Sequence, residues 1–502
     1  MDIKSTMSKY GFGHRGANHI VIDGSGELWL AMAPVAIGGF LSMGMNRLPG
    51  SLRVEPLEGG EPVPYTYAVT ESLLELETGK GAKVRFAIDL DAQALRIKGN
   101  TDFRLNAVDM ALRSTSMVTN DGVVISVGAA RYLMVAKKGT LSFDDTYLVN
   151  DFSSVTPVLD VAAQDGEFEL CVYDLPADKP IPVITKTLEQ CAEESSADFK
   201  AFYDGLVDIP AQWDDVKEKI AYAFWLCQRA LDGKNEVTVE NKYSSKNTNA
   251  ALMAIVSMAF KDAKKAVNML LSYPATMPPV AAIAAARLID DNMLCDSRNE
   301  IYRVYAALEP VARYCVNERT IDKDGLSYYA YRYESGIERS PEFFKVGEPV
   351  LAPDLNAYLI LTSEILGKLA KMEYDDGVAK KWEMHAKALT VKLIAELWDG
   401  ESFIGKNAYT EKVSKPDEFL SLIPILLGSR LPADITSTLA TKIDDTSTGT
   451  AIGLLLAGGL FDAGEKTAAA EIVAKTLESV RADGIQDPFF GASLLAMAHK
   501  VL

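Results

Sequence analysis

Residues Trp213–Gly233 read WDDVKEKIAYAFWLCQRALDG. Val216, Ile220, Ala223, Phe224, Cys227 and Leu231 recur at three- and four-residue steps, the spacing of one helical face, and Gly233 stands where such a helix ends. The same period returns in Val378, Trp382, His385, Ala386, Leu389, Leu393 and Leu397. Similar apolar stripes fall near 249–272, 278–291, 299–317, 354–371, 417–429, 433–443, 450–460, 465–480 and 490–502. This amounts to about a dozen helices. Six helical hairpins closed into a ring, an (α/α)6 barrel, accommodate them. An open superhelical array would show self-similarity at a fixed period, and no repeated consensus is present.

Upstream of Trp213 the pattern is different. HIVIDGSGELWLAM (19–32) sets an Asp-Gly-Ser-Gly turn between two apolar runs, and AKVRFAIDLDAQALRIKGN (82–100) sets two more runs around Asp91 and Ala92. VVISVGAARYLMVAKKG (123–139) and GEFELCVYDL (166–175) continue in the same manner. Short strands with frequent turns and no long helical period predict an antiparallel β-sandwich over residues 1–180. Three prolines in LPADKPIPVITKTLEQ (175–190) suit an extended connector leading into a short helix near 184–206. The predicted organisation is therefore a sandwich over 1–180, a helical linker over 181–211 and a helical barrel over 212–502.

The chain has 502 residues, of which 48% are hydrophobic and 24% charged, an ordinary globular composition with material for more than one core. A formal charge of −18 argues against a phosphate backbone as partner, which needs clustered Lys and Arg to displace its counterions, so neither nucleic acid nor an anionic membrane is expected. No apolar run has the length of a membrane span, and the start has no signal-peptide core, which gives a cytoplasmic expectation. Cys171, Cys191, Cys227, Cys295 and Cys315 are scattered, without CxxC spacing, and are expected as buried thiols. Four histidines without paired spacing argue against a metal or other cofactor. His14 and His19 lie in GFGHRGANH, which matches no phosphate-binding fingerprint and reads as an ordered N-terminal arm. The GxSxG elbow is absent. Nothing in the sequence selects an oligomeric state.

The stretch with chemical content is Tyr333–Phe344, YESGIERSPEFF, where Gly336 and Pro341 frame Glu334, Glu338 and Glu342. With its surroundings it resembles one clan of glycoside hydrolases, the six-hairpin enzymes that include trehalases, processing α-glucosidase I and mannosylglycerate or glucosylglycerate hydrolases. MPPVAAIAAARLIDD (277–291) is similar to that clan's Gln-Pro-Pro helix. RTIDKDGLSYYAYRYESGIERSPEFF (319–344) is similar to its Asp-Gly turn followed by Glu-Ser-Gly-x-Asp-x-Ser-Pro-x-Phe. APDLNAYLILTSEILGKLAKM (352–372) resembles its Asp-Leu-Asn-Ala helix, and KKWEMHAKALTVKLIAELWDGESFIG (380–405) the helix ending in Leu-Trp-Asp.

The resemblance implies a two-carboxylate inverting mechanism, in which one protonated carboxyl serves the leaving oxygen and a second activates water across a gap of about 6.5–9.5 Å. It makes Glu338 the acid, with Glu where the clan usually has Asp. Glu334 becomes a hydroxyl ligand or a structural cap, and Asp354 and Asn356 hydroxyl ligands, Asp354 reading equally well as a helix N-cap. The clan's general base, a Glu shortly before the last helix, falls near Gly484, where Asp483 and Asp487 are the available carboxylates. The early Trp-Asp and later Trp-Arg-Gly-Pro motifs are missing from 242–260 and 444–458. Tyr328, Tyr329, Tyr331, Tyr333, Phe343 and Tyr243 are the aromatic faces available to cover a pyranose. The implied partner is a small carbohydrate or glycoside with an α-linkage. The competing expectations are a barrel that has lost catalysis and acts as a carbohydrate-binding or assembly protein, and a lyase or epimerase on the same barrel.

Overall fold

Alternating residues of the first 174 positions form two antiparallel sheets in the computed structural model, which describes residues 11–15, 18–22, 25–31, 51–92, 94–107, 114–127, 130–148, 154–174, 180–231, 263–272, 277–290, 298–322, 325–335, 342–373, 375–417, 419–443, 451–485 and 488–502. The strands are β1 Phe12–Arg15, β2 Asn18–Ile22, β3 Leu28–Ala31, β4 Ser51–Glu58, β5 Glu61–Pro62, β6 Tyr65–Val69, β7 Leu74–Thr78 and β8 Lys83–Asp89. They continue with β9 Ala94–Gly99, β10 Asp102–Asn106, β11 Ser114–Val118, β12 Val123–Val127, β13 Ala130–Lys138, β14 Thr140–Leu148, β15 Ser154–Ala162 and β16 Phe168–Asp174. One sheet has the order β1-β2-β3-β4-β10-β15-β14, with β5 on β4, and the other β11-β12-β13-β16-β9-β8-β7-β6.

Both hairpins expected from the turn chemistry are present. His19 pairs with Ala31 and Ile22 with Leu28 in β2–β3, and Val84 pairs with Gly99 and Asp89 with Ala94 in β8–β9. The second turn is closed by Asp89, whose Oδ1 accepts the Asp91 and Ala92 amides at 3.1 and 2.9 Å. Because alternate residues of a strand share a face, Leu30, Leu52, Val54, Leu105 and Leu159 of one sheet meet Leu76, Leu95, Ile97, Ile125 and Val172 of the other in one buried core. Phe103 stacks on Phe168 at 5.2 Å and meets the edge of Phe86 at 6.3 Å in that layer. The glycine-rich start is the hairpin β1–β2. Gly13 has φ +79°, and a Cβ there would lie 2.8 Å from the Ile88 side chain, so the position requires glycine.

The helix Leu188–Asp204 begins at a capping box, in which Thr187 accepts from the Gln190 amide and Gln190 accepts from the Thr187 amide. It lies against β8 and β9, with Leu188 and Cys191 packed on Ala87, which explains why those strands are buried on both faces. Arg96 is covered there, donating to Glu169 and to the Lys186 carbonyl. Next comes helix Asp214–Leu231, with the Trp225 indole N–H donating to Asp198 at 2.8 Å and Phe199 edge-on to Trp225. The chain divides into two units, Met1–Leu206 with Glu218–Lys234 and Gly484–Pro488, and Val207–Lys217 with Asn235–Asp483 and Phe489–Leu502.

Past that helix the described residues form helices Ala263–Ser272, Ala281–Asp290, Arg298–Glu318, Pro353–Met372, Asp376–Leu397, Ala433–Ala440, Ala451–Ala463, Lys466–Asp483 and Pro488–Val501. The part of the first stripe over 249–262 lies outside the described residues. The stripe near 417–429 differs from expectation, forming a 3-10 segment, Ile423–Arg430, and no α-helix. Pro424 withdraws one amide, and Gly428 turns the chain at φ +55°, a backbone that no α-helix contains. Helix Pro353–Met372 is the most enclosed, with apolar residues buried around its whole circumference. It pairs with Asp376–Leu397 through residues 373–375, a link so short that the two must run antiparallel as a helical hairpin, and Asp375 caps the second helix through the Val378 amide.

Candidate functional site

The candidate loop grows from the end of helix Arg298–Glu318. Arg319 leaves the helix, Thr320 bridges to Ser327, and the Asp-Gly turn is closed by the Gly325 amide donating to the Asp322 carbonyl at 2.9 Å. Tyr328–Tyr329 then forms strand β17 of a small sheet, β17-β18-β19, with Val350–Leu351 and Lys406–Asn407 as its other strands. Tyr328, Leu351 and Lys406 stand in one register line, and Tyr329, Val350 and Asn407 in the next.

A 3-10 turn, Arg332–Ser335, follows. Glu334 closes it by accepting the Ala330 amide at 2.7 Å, and its other oxygen takes the Arg319 guanidinium at 2.7 Å. Farther along, Glu348 accepts the Arg332 amide at 2.8 Å, so the segment leaving Ser335 and the one returning at Glu342 are tied together at their base. Phe343 is fully buried on the return, against Gly405, where a Cβ would approach its ring to 2.9 Å. Tyr333 is exposed, with the Arg332 guanidinium over its ring at 5.1 Å. Residues 336–341, and with them Gly336, Glu338 and Pro341, lie outside the described residues.

Behind the small sheet stands the first turn of helix Pro353–Met372, whose N-cap is Ala352, which places Asp354 inside the helix. Asp354 is buried with no exposed surface, and its Oδ2 accepts the Tyr329 hydroxyl at 2.8 Å. Oδ1 has no hydrogen-bond partner of normal geometry. Burial drives its pKa from the usual carboxylate range up to about 7, the Asp417 charge adds to the rise, and the Tyr329 hydroxyl and first-turn amides draw it partly back. Asn356 is equally buried and spends its whole amide on backbone. Its oxygen accepts the Ser327 amide at 2.8 Å, and its NH2 donates to the Ser327 and Ala352 carbonyls at 2.9 and 2.8 Å.

Asp483 is exposed at the last turn of helix Lys466–Asp483, and Asp487 lies outside the described residues, as do Tyr243, Cys295 and Gly449. The structure thus gathers Glu334, Tyr333, Phe343, Asp354 and Asn356 around one small sheet. Arg319, Glu348 and Tyr329 hold this frame together. The Arg319–Glu334 pair spans 15 positions and the Arg332–Glu348 bond 16, so no local spacing announces either. Trp29, Trp213, Trp225 and Trp382 are buried. Among the described residues no three His, Cys, Asp or Glu side chains converge to hold a metal ion, and no helix is long and apolar enough to cross a membrane.

Residues 212–455 match the family model of the mannosylglycerate hydrolase MGH1-like glycoside hydrolase domain. This part of the chain is therefore similar to the six-hairpin glycoside hydrolases that the motifs of 277–404 resemble. Among solved structures, a bacterial glucoamylase complexed with acarbose aligns over 98% of this chain and 93% of its own at 12% identity, with a TM-score of 0.59. A family GH92 inverting mannosidase from Bacteroides thetaiotaomicron aligns over 89% of this chain and 70% of its own, at 8% identity and TM-score 0.53. The GH63 mannosylglycerate hydrolase from Thermus thermophilus in complex with glucose aligns over 50% of this chain and 91% of its own, at 16% identity and TM-score 0.41. No curated protein sequence matches the chain significantly.

Proposed function

We propose that this glycoside hydrolase-like chain cleaves an α-glycosidic bond in a small soluble sugar or glycoside with inversion, and that residues 212–502 close into an (α/α)6 barrel that follows, along the chain, a 1–180 sandwich and a 181–211 linker. The observation that carries the reading is the family match over 212–455, which contains the loop whose two sides are joined at the base by the Arg332–Glu348 bond. In this reading Glu338 protonates the leaving oxygen, and Asp487 or Asp483 activates the water. Tyr333, exposed beside the loop, meets the sugar. Glu334, Phe343, Asp354 and Asn356 act from behind it, because their polar or apolar faces are already engaged with backbone, Arg319, Tyr329 and Gly405.

The test is a screen of α-glucosides, α-mannosides, trehalose and glycosyl glycerates, with the anomeric form of the first product read by NMR and Glu338→Gln as control. Loss of one proton donor is expected to lower kcat by about 10²–10⁴-fold. Activity unchanged in Glu338→Gln removes Glu338 from the mechanism, and a retained anomeric configuration removes inversion. An absence of hydrolysis across the panel favours the second reading, a carbohydrate-binding barrel without catalysis. The exposed position of Asp483 at a helix end is the observation on that side.

A further inference from the structure

Among the described residues the large aromatic side chains exposed to solvent are all tyrosines, Tyr302, Tyr314, Tyr331, Tyr333 and Tyr409, and all lie between positions 302 and 409. Two of them belong to one assembly. Arg319 lies under the Tyr314 ring at 5.1 Å and the Tyr328 ring at 5.8 Å, and its Nε donates to the Tyr314 hydroxyl at 2.7 Å. Tyr409 stands beside Tyr328, close enough that, after burial, its hydroxyl is the next cause of the raised Tyr328 pKa. Tyr314 is 41% exposed and Tyr409 68%.

The Tyr314 and Tyr328 rings are held in place before any ligand arrives. Arg319 is itself mostly covered and fixed on Glu334, and the Tyr328 hydroxyl donates to the Glu318 carbonyl at 3.4 Å. A ligand would therefore meet aromatic faces whose freedom has already been lost. The charge of the patch also selects its ligand. Arg319 is neutralised by Glu334 and Lys406 stands by Glu411, so neither offers an anionic polymer an unpaired cation. Flat rings with hydroxyls at their rim fit a ligand that has apolar faces and a hydroxyl edge and no net charge. Pyranose rings have that chemistry. A protein hot spot would instead sink its aromatic anchors into a desolvated pocket.

We propose that Tyr314, Tyr328 and Tyr409, arranged around Arg319, form a surface that binds a neutral oligosaccharide chain independently of the hydrolytic step. The inference rests on the glycoside hydrolase reading of this domain, and the experiment separates the two. The full chain is run on native gels containing glycogen or yeast α-mannan, and dissociation constants are taken from the retardation. Wild type is expected to be retarded by at least one of the polymers, and Tyr314→Ala and Tyr409→Ala each to weaken binding about tenfold. Tyr409→Trp should restore it, which guards against a folding defect. Both alanine variants should hydrolyse small soluble glycosides as wild type does, whereas Glu338→Gln should lose hydrolysis and keep its retardation. Wild type unretarded by both polymers, or alanine variants retarded as wild type is, overturns the proposal. So does a concentration-dependent dimer in sedimentation that Tyr409→Ala abolishes without any polymer binding.

Discussion

Asp354 is enclosed by protein on every side, and a carboxyl group without water around it favours its neutral form. Its folded pKa of about 7 stands above the ordinary aspartate value of 3.8. Between those two values the native state holds more protons than the unfolded chain, so stability falls as pH rises through that window, by up to about 1.4 kcal/mol per unit, and levels off above it. Asp354→Asn keeps the shape, keeps an acceptor for the Tyr329 hydroxyl and removes the titration. Urea unfolding at pH 5 and pH 8 should show wild type less stable at the higher pH, with that part of the slope gone in the variant. An identical slope in both would show that Asp354 is not the group responsible. The motif Asp-Leu-Asn-Ala made Asp354 conspicuous in the sequence. Its burial and its contact with Tyr329, 25 positions earlier, come from tertiary packing.

Asn356 works at the scale of elements, because one side chain joins the first turn of helix Pro353–Met372 to the strand edge at Ser327. Asn356→Ala would leave the Ser327 amide and carbonyl buried without their partner, at a cost of about 1–3 kcal/mol. A lowered urea midpoint is the expected result, and an unchanged midpoint would mean that the sheet finds other partners. The sequence pattern was most informative for elements of this kind. The stripe at 354–371 and the structured helix Pro353–Met372 differ by one residue at each end, and the hairpins over 19–32 and 82–100 pair as their turns require. Periodicity failed at 417–429, where the apolar spacing is helical and Pro424 and Gly428 nevertheless impose another backbone.

At the scale of the whole molecule, the three cysteines with described side chains are all interior, Cys171 and Cys191 in one unit and Cys315 in the other. Burial, the largest cause for each, lifts the thiol pKa to about 12, about 11 and about 12, so at pH 8 all three are thiols with little nucleophilicity. A maleimide or disulfide reagent at pH 8 should leave them unmodified in the native chain and label them fully in urea, with peptide mapping by mass spectrometry as the readout. Native labelling of Cys315 ahead of the other two would show that the helical unit opens first.

The division into a strand-rich part and a helical part follows from the sequence by itself, because a period of two and a period of 3.6 are local properties of the chain. The resemblance to the clan was legible in the order of the motifs from 277 to 404. Tertiary structure alone decided what each conspicuous residue touches. Glu334 meets Arg319, Glu348 ties the loop that leaves after Ser335, and Phe343 turns inward against Gly405. Those partners lie 15, 16 and 62 positions apart. Whether a carboxylate or an aromatic ring meets solvent, another side chain or a buried backbone amide is fixed by packing between elements, on which the local period has no bearing.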